Sequence, residues 1–306
     1  MADRPEGAAS DTADADGPLR REAKGLLLGF VGVAIFSLTL PATRIAVVDF
    51  TPVMIGLGRA ILAAAVAATI LLATHQRLPR RGEWRSLVVV ALGVVLGFPL
   101  LSAWAMQTVP AAHGGVVLGI LPLATTLAAA VLLRERPSAA FWLVALVGGG
   151  AVVAFSLLRG GGSIGPGHLA LLASVACAAI GYAEGARLTR TLGGWQVICW
   201  ALVIAAPFLA VPVGLSLAEH GMQGSPASWG AFLYVALFSQ LLGFFAWNRG
   251  LAIGGVSRVS QVQLLQTFLT IFASAVLLGE AVDAITLGFA VFVVASVALG
   301  RRMPVR

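Results

Sequence analysis

AAAVLLRE at residues 128–135 and ASAVLLGE at residues 273–280 are one motif written twice, with Glu135 in register with Glu280 across a shift of 145 positions. Away from this pair a shift of 143 superposes Arg44 on Arg187, Trp104 on Trp247 and Pro41 on Glu184, so both halves of the chain descend from one unit. Each half holds five apolar runs, near 26–48, 53–74, 86–108, 113–133 and 138–158, then 167–187, 195–217, 229–249, 257–278 and 282–300. A run of roughly 20 apolar residues crosses a hydrocarbon core of about 30 Å. Alternation of apolar and polar residues with period two is missing, which selects helices over a β-barrel. Because five is odd, the second copy enters the membrane from the side opposite to the first. The chain reads as an all-α membrane protein of ten transmembrane helices, built as two inverted five-helix repeats.

Composition and charge point the same way. The chain is 59% hydrophobic and 11% charged, with mean hydropathy +0.95, too apolar for a surface in water. Basic residues collect in alternate gaps between the runs: Arg77, Arg80, Arg81 and Arg85; Arg134 and Arg136; Arg187 and Arg190; Arg249 and Arg258; and Arg301, Arg302 and Arg306 at the end. With Arg4, Arg20, Arg21 and Lys24 they put 17 of the 20 basic residues on one side. Loops rich in Lys and Arg are retained in the cytoplasm. Both termini are therefore expected to be cytoplasmic in a multi-pass protein of the bacterial inner membrane. The net charge of +7 is a topology signal, and no nucleic-acid partner is expected from arginines spread over short loops.

Residues 1–24 mix Ala, Asp, Gly and Pro without apolar periodicity and are expected to form a disordered cytoplasmic tail that carries no secretory signal. The first repeat then covers 25–159, a glycine-rich linker 160–166, the second repeat 167–300 and a short cytoplasmic tail 301–306. Cys177 and Cys199 fall inside apolar runs without ligand spacing and are read as small packing residues, so no metal is expected. No glycine-rich loop is followed by Lys-Ser/Thr, so no ATP site is expected and any transport is expected to be secondary. No cofactor is expected, with proton coupling left open.

Several segments carry a family likeness: PVMIGLGRA (52–60), AWAMQTVPAAHGGVVLGILPL (103–123), LLRER (132–136), AWNRGL (246–251), VSRVSQVQLLQ (256–266) and LLGE (277–280). In order, spacing and duplication the chain resembles the EamA family of the drug/metabolite transporter superfamily. The resemblance implies a ten-helix bacterial carrier, commonly an exporter of amino acids or related metabolites, with a central cavity lined mainly by the first, third, fourth, sixth, eighth and ninth helices. Where the fourth run has Pro122 the ninth has Thr267, so the halves are expected to bend unequally.

Polar groups facing hydrocarbon cost several kcal/mol and should point inward. In the ninth run Gln263, Thr267, Thr270 and Ser274 recur on one helical face; Gly115, Gly119, Pro122, Thr126 and Ala129 repeat that face in the fourth. Helix packing explains the small residues and threonines as well as a cavity does. Gln261, Gln263 and Gln266 offer more hydrogen-bonding groups than packing needs. Trp104 and Trp247 occupy matching places and are candidate cavity walls, Trp247 being equally suited to the membrane interface. Tyr182, Tyr234 and Gln240 are further inward candidates. Glu184 is the acidic residue deepest in an apolar run: it either pairs with Arg187 three residues on or exchanges a proton during turnover. Arg44 and Arg187 are candidates to hold a substrate carboxylate or to gate opposite ends. Arg59 is read as a structural cap or pair near the outer end of the second run, and His113 as a solvated or proton-linked group.

These readings converge on a secondary transporter that exports amino acids or related small amphipathic metabolites by alternating access. Efflux of toxic compounds and import of another metabolite are the alternatives within the class. A channel would differ in showing flux that does not saturate. An intramembrane enzyme lacks its constellation, since HExxH and GxSxG are absent and the four histidines are scattered. The expected partners are a small-molecule substrate and the lipid bilayer, for a monomer or homodimer; the GxxxG patterns are assigned to contacts within one chain.

Overall fold

The computed structural model describes residues 11–132, 138–254 and 259–303, and among them helices and turns but no strand. Ten helical segments follow in order. Helix α1 covers 11–46, as Asp11–Ser37 and Thr39–Ala46. Then come α2 (Met54–Ala73), α3 (Arg81–Ala105), and α4, made of Ala111–Leu118 and Leu121–Leu132 with a 42° bend between them. Helix α5 is Ala139–Arg159, α6 Pro166–Leu192 and α7 Gly194–His220. The last three are α8 (Pro226–Gly254), α9 (Val262–Leu278) and α10 (Ala284–Gly300). Seven of these are long and apolar enough to cross a membrane singly, α4 qualifies as a bent pair, and α9 and α10 are shorter. The protein is an all-α integral membrane protein in which a five-helix half is followed by its inverted copy.

Side-chain caps start the helices where the sequence supplies them. Ser138, Ser225 and Asp283 accept hydrogen bonds from the backbone N–H three residues on, at the starts of α5, α8 and α10. The bend in α4 has a local cause: Pro122 has no N–H, so the Leu118 carbonyl loses its helical partner. Thr267 lies in the uninterrupted stretch Leu265–Leu278, which follows a 3-10 turn, so the two halves do bend unequally. Helix α1 begins at Asp11, inside the segment 1–24 read from the sequence as a tail, and 1–10 lie outside the described residues. Once the apolar span has nucleated the helix, each added residue costs little and gains one hydrogen bond.

Large apolar side chains lie on the outside, Leu72 and Phe208 each 76% exposed, as hydrocarbon solvent permits. Inside are two apolar cores, one centred on α2, α3, α7 and α8 and one on α4, α5, α6 and α10; Tyr182 packs against both. Glycines set the tightest crossings. A Cβ at Gly25 would lie 2.3 Å from Gly254 Cα, and one at Gly250 would lie 2.6 Å from the Gly29 nitrogen, so α1 and α8 touch backbone to backbone. The repeat-related pair α3 and α6 meets in the same way, with a Cβ at Gly93 falling 2.4 Å from the Cys177 carbonyl oxygen and 2.9 Å from Gly181 Cα. The GxxxG patterns at these places serve contacts within the chain. Three spans also contain π-helical turns, Met54–Gly58 in α2, Ala91–Gly97 in α3 and Tyr234–Leu242 in α8, which pack near one another.

Candidate functional site

The end of the bundle that carries Arg44, Ala111, Ser225 and Glu280 is laced shut. Glu280, just beyond α9, places one carboxylate oxygen 2.8 Å from the Ala111 N–H and the other 2.8 Å from the Ala112 N–H. The first N–H groups of a helix have no partner within it and carry partial positive charge, so a carboxylate is the matching ligand. Arg44 Nη1 donates to the carbonyls of Met106 and Val109, in the turn between α3 and α4. Asp49 accepts from the N–H and the hydroxyl of Ser225, both at 2.8 Å, and the Thr51 and Ser216 hydroxyls are 2.8 Å apart. Arg44, Ser225, Ser228, Leu278 and Glu280 line a depression of about 390 Å³ at this end.

Two aspartates of this end sit outside the spans with depressed pKa values. The Ser225 N–H, followed by the Ser228 and Ser225 hydroxyls, lowers Asp49. Asp283 is held lower still, chiefly by Arg159 and then by the Thr286 N–H. A carboxylate whose folded pKa lies below its unfolded value stabilises fully above that unfolded value, about 3.9, and loses the contribution as pH falls through the folded one. The contacts of Asp49 and Asp283 are therefore expected to be intact from neutral pH down to roughly pH 4 and to fail only below it. Modification of a cysteine placed at buried Ala46, followed against pH, checks this; a rise in reactivity between pH 7 and 5 would contradict it.

At the opposite end, which carries Arg77, Arg187 and Arg301, the polar links tie other helices. Arg77 pairs with Glu83 at 2.8 Å and also reaches the Thr191 carbonyl at the end of α6. Arg187 donates to Glu184 at 2.8 Å and to the Ser86 hydroxyl of α3. None of these joins α4 to α9. The first half of α4 packs along α9, whereas its second half, past the bend, packs mainly onto α6 among the described residues, with Leu121 and Pro122 still beside the start of α9. Where the two helices still touch, Gly115 faces Thr270 and Gly119 faces Thr267, with Cβ-to-side-chain approaches of 3.0 and 2.8 Å. Gly115, Gly119, Pro122, Gln263, Gln266 and Thr267 border a void of about 20 Å³, room for about one water.

The sequence-derived candidates scatter. Thr267 and Thr270 lie on the buried face of α9, and the Thr270 hydroxyl bonds the Ser37 carbonyl at 2.9 Å, an inter-helix contact. Gln263 accepts from Arg301 at 3.1 Å, Gln266 borders the void, and the Gln261 side chain lies outside the described residues. Gln240 is buried and donates to the Val94 carbonyl at 3.4 Å. Tyr182 meets Phe244 edge to face at 6.1 Å, while the Tyr234 hydroxyl donates to Ile35. The two tryptophans expected as cavity walls do not meet. Trp104 is 47% exposed and belongs to neither core, and Trp247 is wedged against Gly29 and Gly32 of α1. Glu184 is ion-paired with Arg187, and His113 stands edge-on to Phe155 at 5.3 Å with Nδ1 buried and unpartnered. Glu135, Arg134 and Arg136 lie outside the described residues.

Arg59 is the correction that matters most. Expected as a cap or a pair, it is fully buried, 1% exposed, and neither Nε nor Nη1 finds a hydrogen-bond partner. It follows directly on the π turn of α2, with the neutral Tyr182 side chain of α6 in its neighbourhood. Its signal in the sequence was a lone arginine in an apolar run with no acidic residue three or four positions away. Of the other two basic residues that break the sidedness of the arginines, Arg44 donates to carbonyls and Arg159 pairs with Asp283, although the Arg159 Nε is buried without a partner.

Comparison with known proteins places these features. The EamA-like transporter family matches residues 23–157 and again 165–300, one match per half. The chain is 43% identical to the uncharacterized transporter YdeK of Bacillus subtilis (strain 168) over 292 residues, 93% of this chain and 99% of that one. It is 29% identical over 206 residues to protein PecM of Dickeya dadantii (strain 3937), covering 63% of this chain and 65% of PecM. A solved crystal structure superposes on 90% of the chain and 97% of its own with TM-score 0.62 at 21% identity, which supports the fold. Two matches in tandem over nearly the whole apolar length make this chain a member of the EamA-like transporter family, within the drug/metabolite transporter superfamily.

Proposed function

We propose that the protein is a secondary transporter that exports amino acids or related small amphipathic metabolites across the bacterial inner membrane by alternating access, with both termini in the cytoplasm. The observation that carries this reading is the difference between the two ends of the α4–α9 pair, capped by Glu280 at one end and, at the other, redirected by the α4 bend so that the second half of α4 packs mainly on α6. On the arginine-based topology the capped end faces out and the redirected end faces the cytoplasm, where an exporter must collect its cargo.

The repeat supplies the converse state. Arg44 and Arg187 are equivalent in the two halves, yet Arg44 sits on the carbonyls of the α3–α4 turn while Arg187 is 52% exposed beside Glu184. In the outward-open state Arg187 moves onto the carbonyls of the last turns of α8, 249–252, the repeat counterparts of 106–109 on which Arg44 now sits, and Arg44 lets go. Rocking of inverted halves produces such an exchange of closed ends. Arg44, Arg187 and Glu184 act as gates in this scheme, and Gln240, Gln263 and Gln266 offer polar contacts along the path.

Counterflow of an amino-acid panel by purified protein in liposomes tests the reading. Saturable exchange of at least one amino acid is expected, abolished when cysteines placed on the second half of α4 and the start of α9 are cross-linked. Absence of flux for every amino acid would remove the substrate assignment, and flux that never saturates would favour a channel.

A further inference from the structure

Arg59 carries an inference about cargo chemistry that rests on the transport reading. A guanidinium removed from water without acceptors is costly, and buried charges are ordinarily paired. Here no pair is supplied: the one described carboxylate inside an apolar run, Glu184, is held by Arg187. The fold does not require a cation at this place either. The 143-residue shift that superposes Arg44 on Arg187 sets Leu202 opposite Arg59, and Leu202 is fully buried in the equivalent helix of the second half. A leucine therefore packs where the repeat repeats itself, and the arginine is an addition to the architecture.

Its surroundings are built for movement. The π turn Met54–Gly58 ends directly before Arg59, the π turn of α8 holds Gln240, and the Gln240 amide reaches the Val94 carbonyl inside the π turn of α3. Val94 in turn touches Gly181, the neighbour of Tyr182. Single π turns are frequent at functional sites, because the extra residue leaves the helix locally wider and easily re-registered. One of the three leads straight into the unsatisfied cation, and the other two are joined to each other through Gln240 and Val94.

We propose that Arg59 is the anion-binding residue of the transport path, and that the cargo supplies the missing counter-charge through a carboxylate or another compact anionic group. The guanidinium is sealed in the present conformation and engages cargo when α2, α3 and α8 part around it. An anionic group is then a requirement, whereas an ammonium group is not. Simple organic acids and amino acids share the required group; amines and esters lack it.

The test loads proteoliposomes of the full chain with an equimolar mixture of amino acids, simple carboxylic acids, their methyl esters and the matching amines. Efflux of each species is measured by mass spectrometry against protein-free vesicles, for wild type, R59K, R59Q and R59M. Every species moved by wild type is expected to carry an anionic group, with R59Q and R59M at least tenfold slower and R59K intermediate. R59M is also expected to melt at or above the wild-type temperature, because an apolar side chain of similar length removes an unpaired buried charge. A merely structural arginine predicts the reverse, a lower melting temperature. Amines or esters moved as fast by R59Q as by wild type, or acids moved normally by R59M, would overturn the assignment while leaving the transport reading intact. A wild-type protein that moves none of the mixture would instead bring down the transport reading itself, and this inference with it.

Discussion

Glu280→Ala opens the sealed end of the bundle. The side chain holds two backbone N–H groups of α4 at 2.8 Å each, from a position 168 and 169 residues away in the chain. Hydrogen bonds to a charged group contribute about 1.5–3 kcal/mol each, and the partial exposure of Glu280 reduces the pair to about 2–3 kcal/mol together. Removing it shifts the balance between closed and open by roughly thirty- to a hundred-and-fiftyfold. Glu280→Gln keeps one acceptor oxygen but loses the charge that the helix terminus favours, so its effect is expected to be smaller and of the same sign. A cysteine at Ala46, buried at this end, is a suitable reporter. Its reaction with a membrane-impermeant maleimide should be slow in the parent, much faster with Glu280→Ala and intermediate with Glu280→Gln. Equal rates in all three would show that the carboxylate does not hold this end shut.

The second large effect is on stability. Valine at Gly250 would bring a branched side chain against the Gly29 nitrogen at 2.6 Å and the Gly25 oxygen at 2.9 Å, both backbone atoms that cannot rotate away. Overpacking of a well-filled site costs typically 1–3 kcal/mol, and the rigid neighbours place this case at or above about 3 kcal/mol. The two helices would have to separate along their whole crossing. Purified Gly250→Val is expected to melt several degrees below the parent, or to fail to accumulate in the membrane. Gly149 provides the control: nothing lies within 4 Å of a Cβ there, and alanine adds helix propensity, so Gly149→Ala should match or slightly exceed the parent. If both substitutions behave alike, the backbone contact between α1 and α8 does not set the stability of the protein.

Local reasoning worked where the physics is local. The proline in α4 bends the helix because the missing N–H acts on a carbonyl four residues away, and Ser138, Ser225 and Asp283 cap their helices because their oxygens reach three residues on. The polar face of α9 was visible from spacing alone, since Thr267, Thr270 and Ser274 fall on one side of any helix and are buried together here. Rotation of one helix against another is a different matter. Trp247 looked equally suited to an interface or a cavity and turned out to fill the crossing with α1; Glu184 looked like a solitary acid or half of a pair and is paired. In each case the deciding neighbour is either a turn away on a face whose direction the sequence leaves open, or on another helix.

What the amino-acid sequence determined by itself is the solvent, the secondary structure and the symmetry. Apolar runs of spanning length forced helices in lipid, the duplicated motif with an odd number of spans forced the inversion, and paired glycines marked where backbones would touch, all through chemistry carried within a few residues of each position. Only the tertiary structure decided which polar groups are satisfied. Glu280 finds the start of α4, Arg44 finds the carbonyls beyond α3, and Arg159 finds Asp283, while Arg59 finds nothing. The reason is physical: whether a buried charge is met depends on the position and rotation of every helix around it at once, and no period along one chain segment records that.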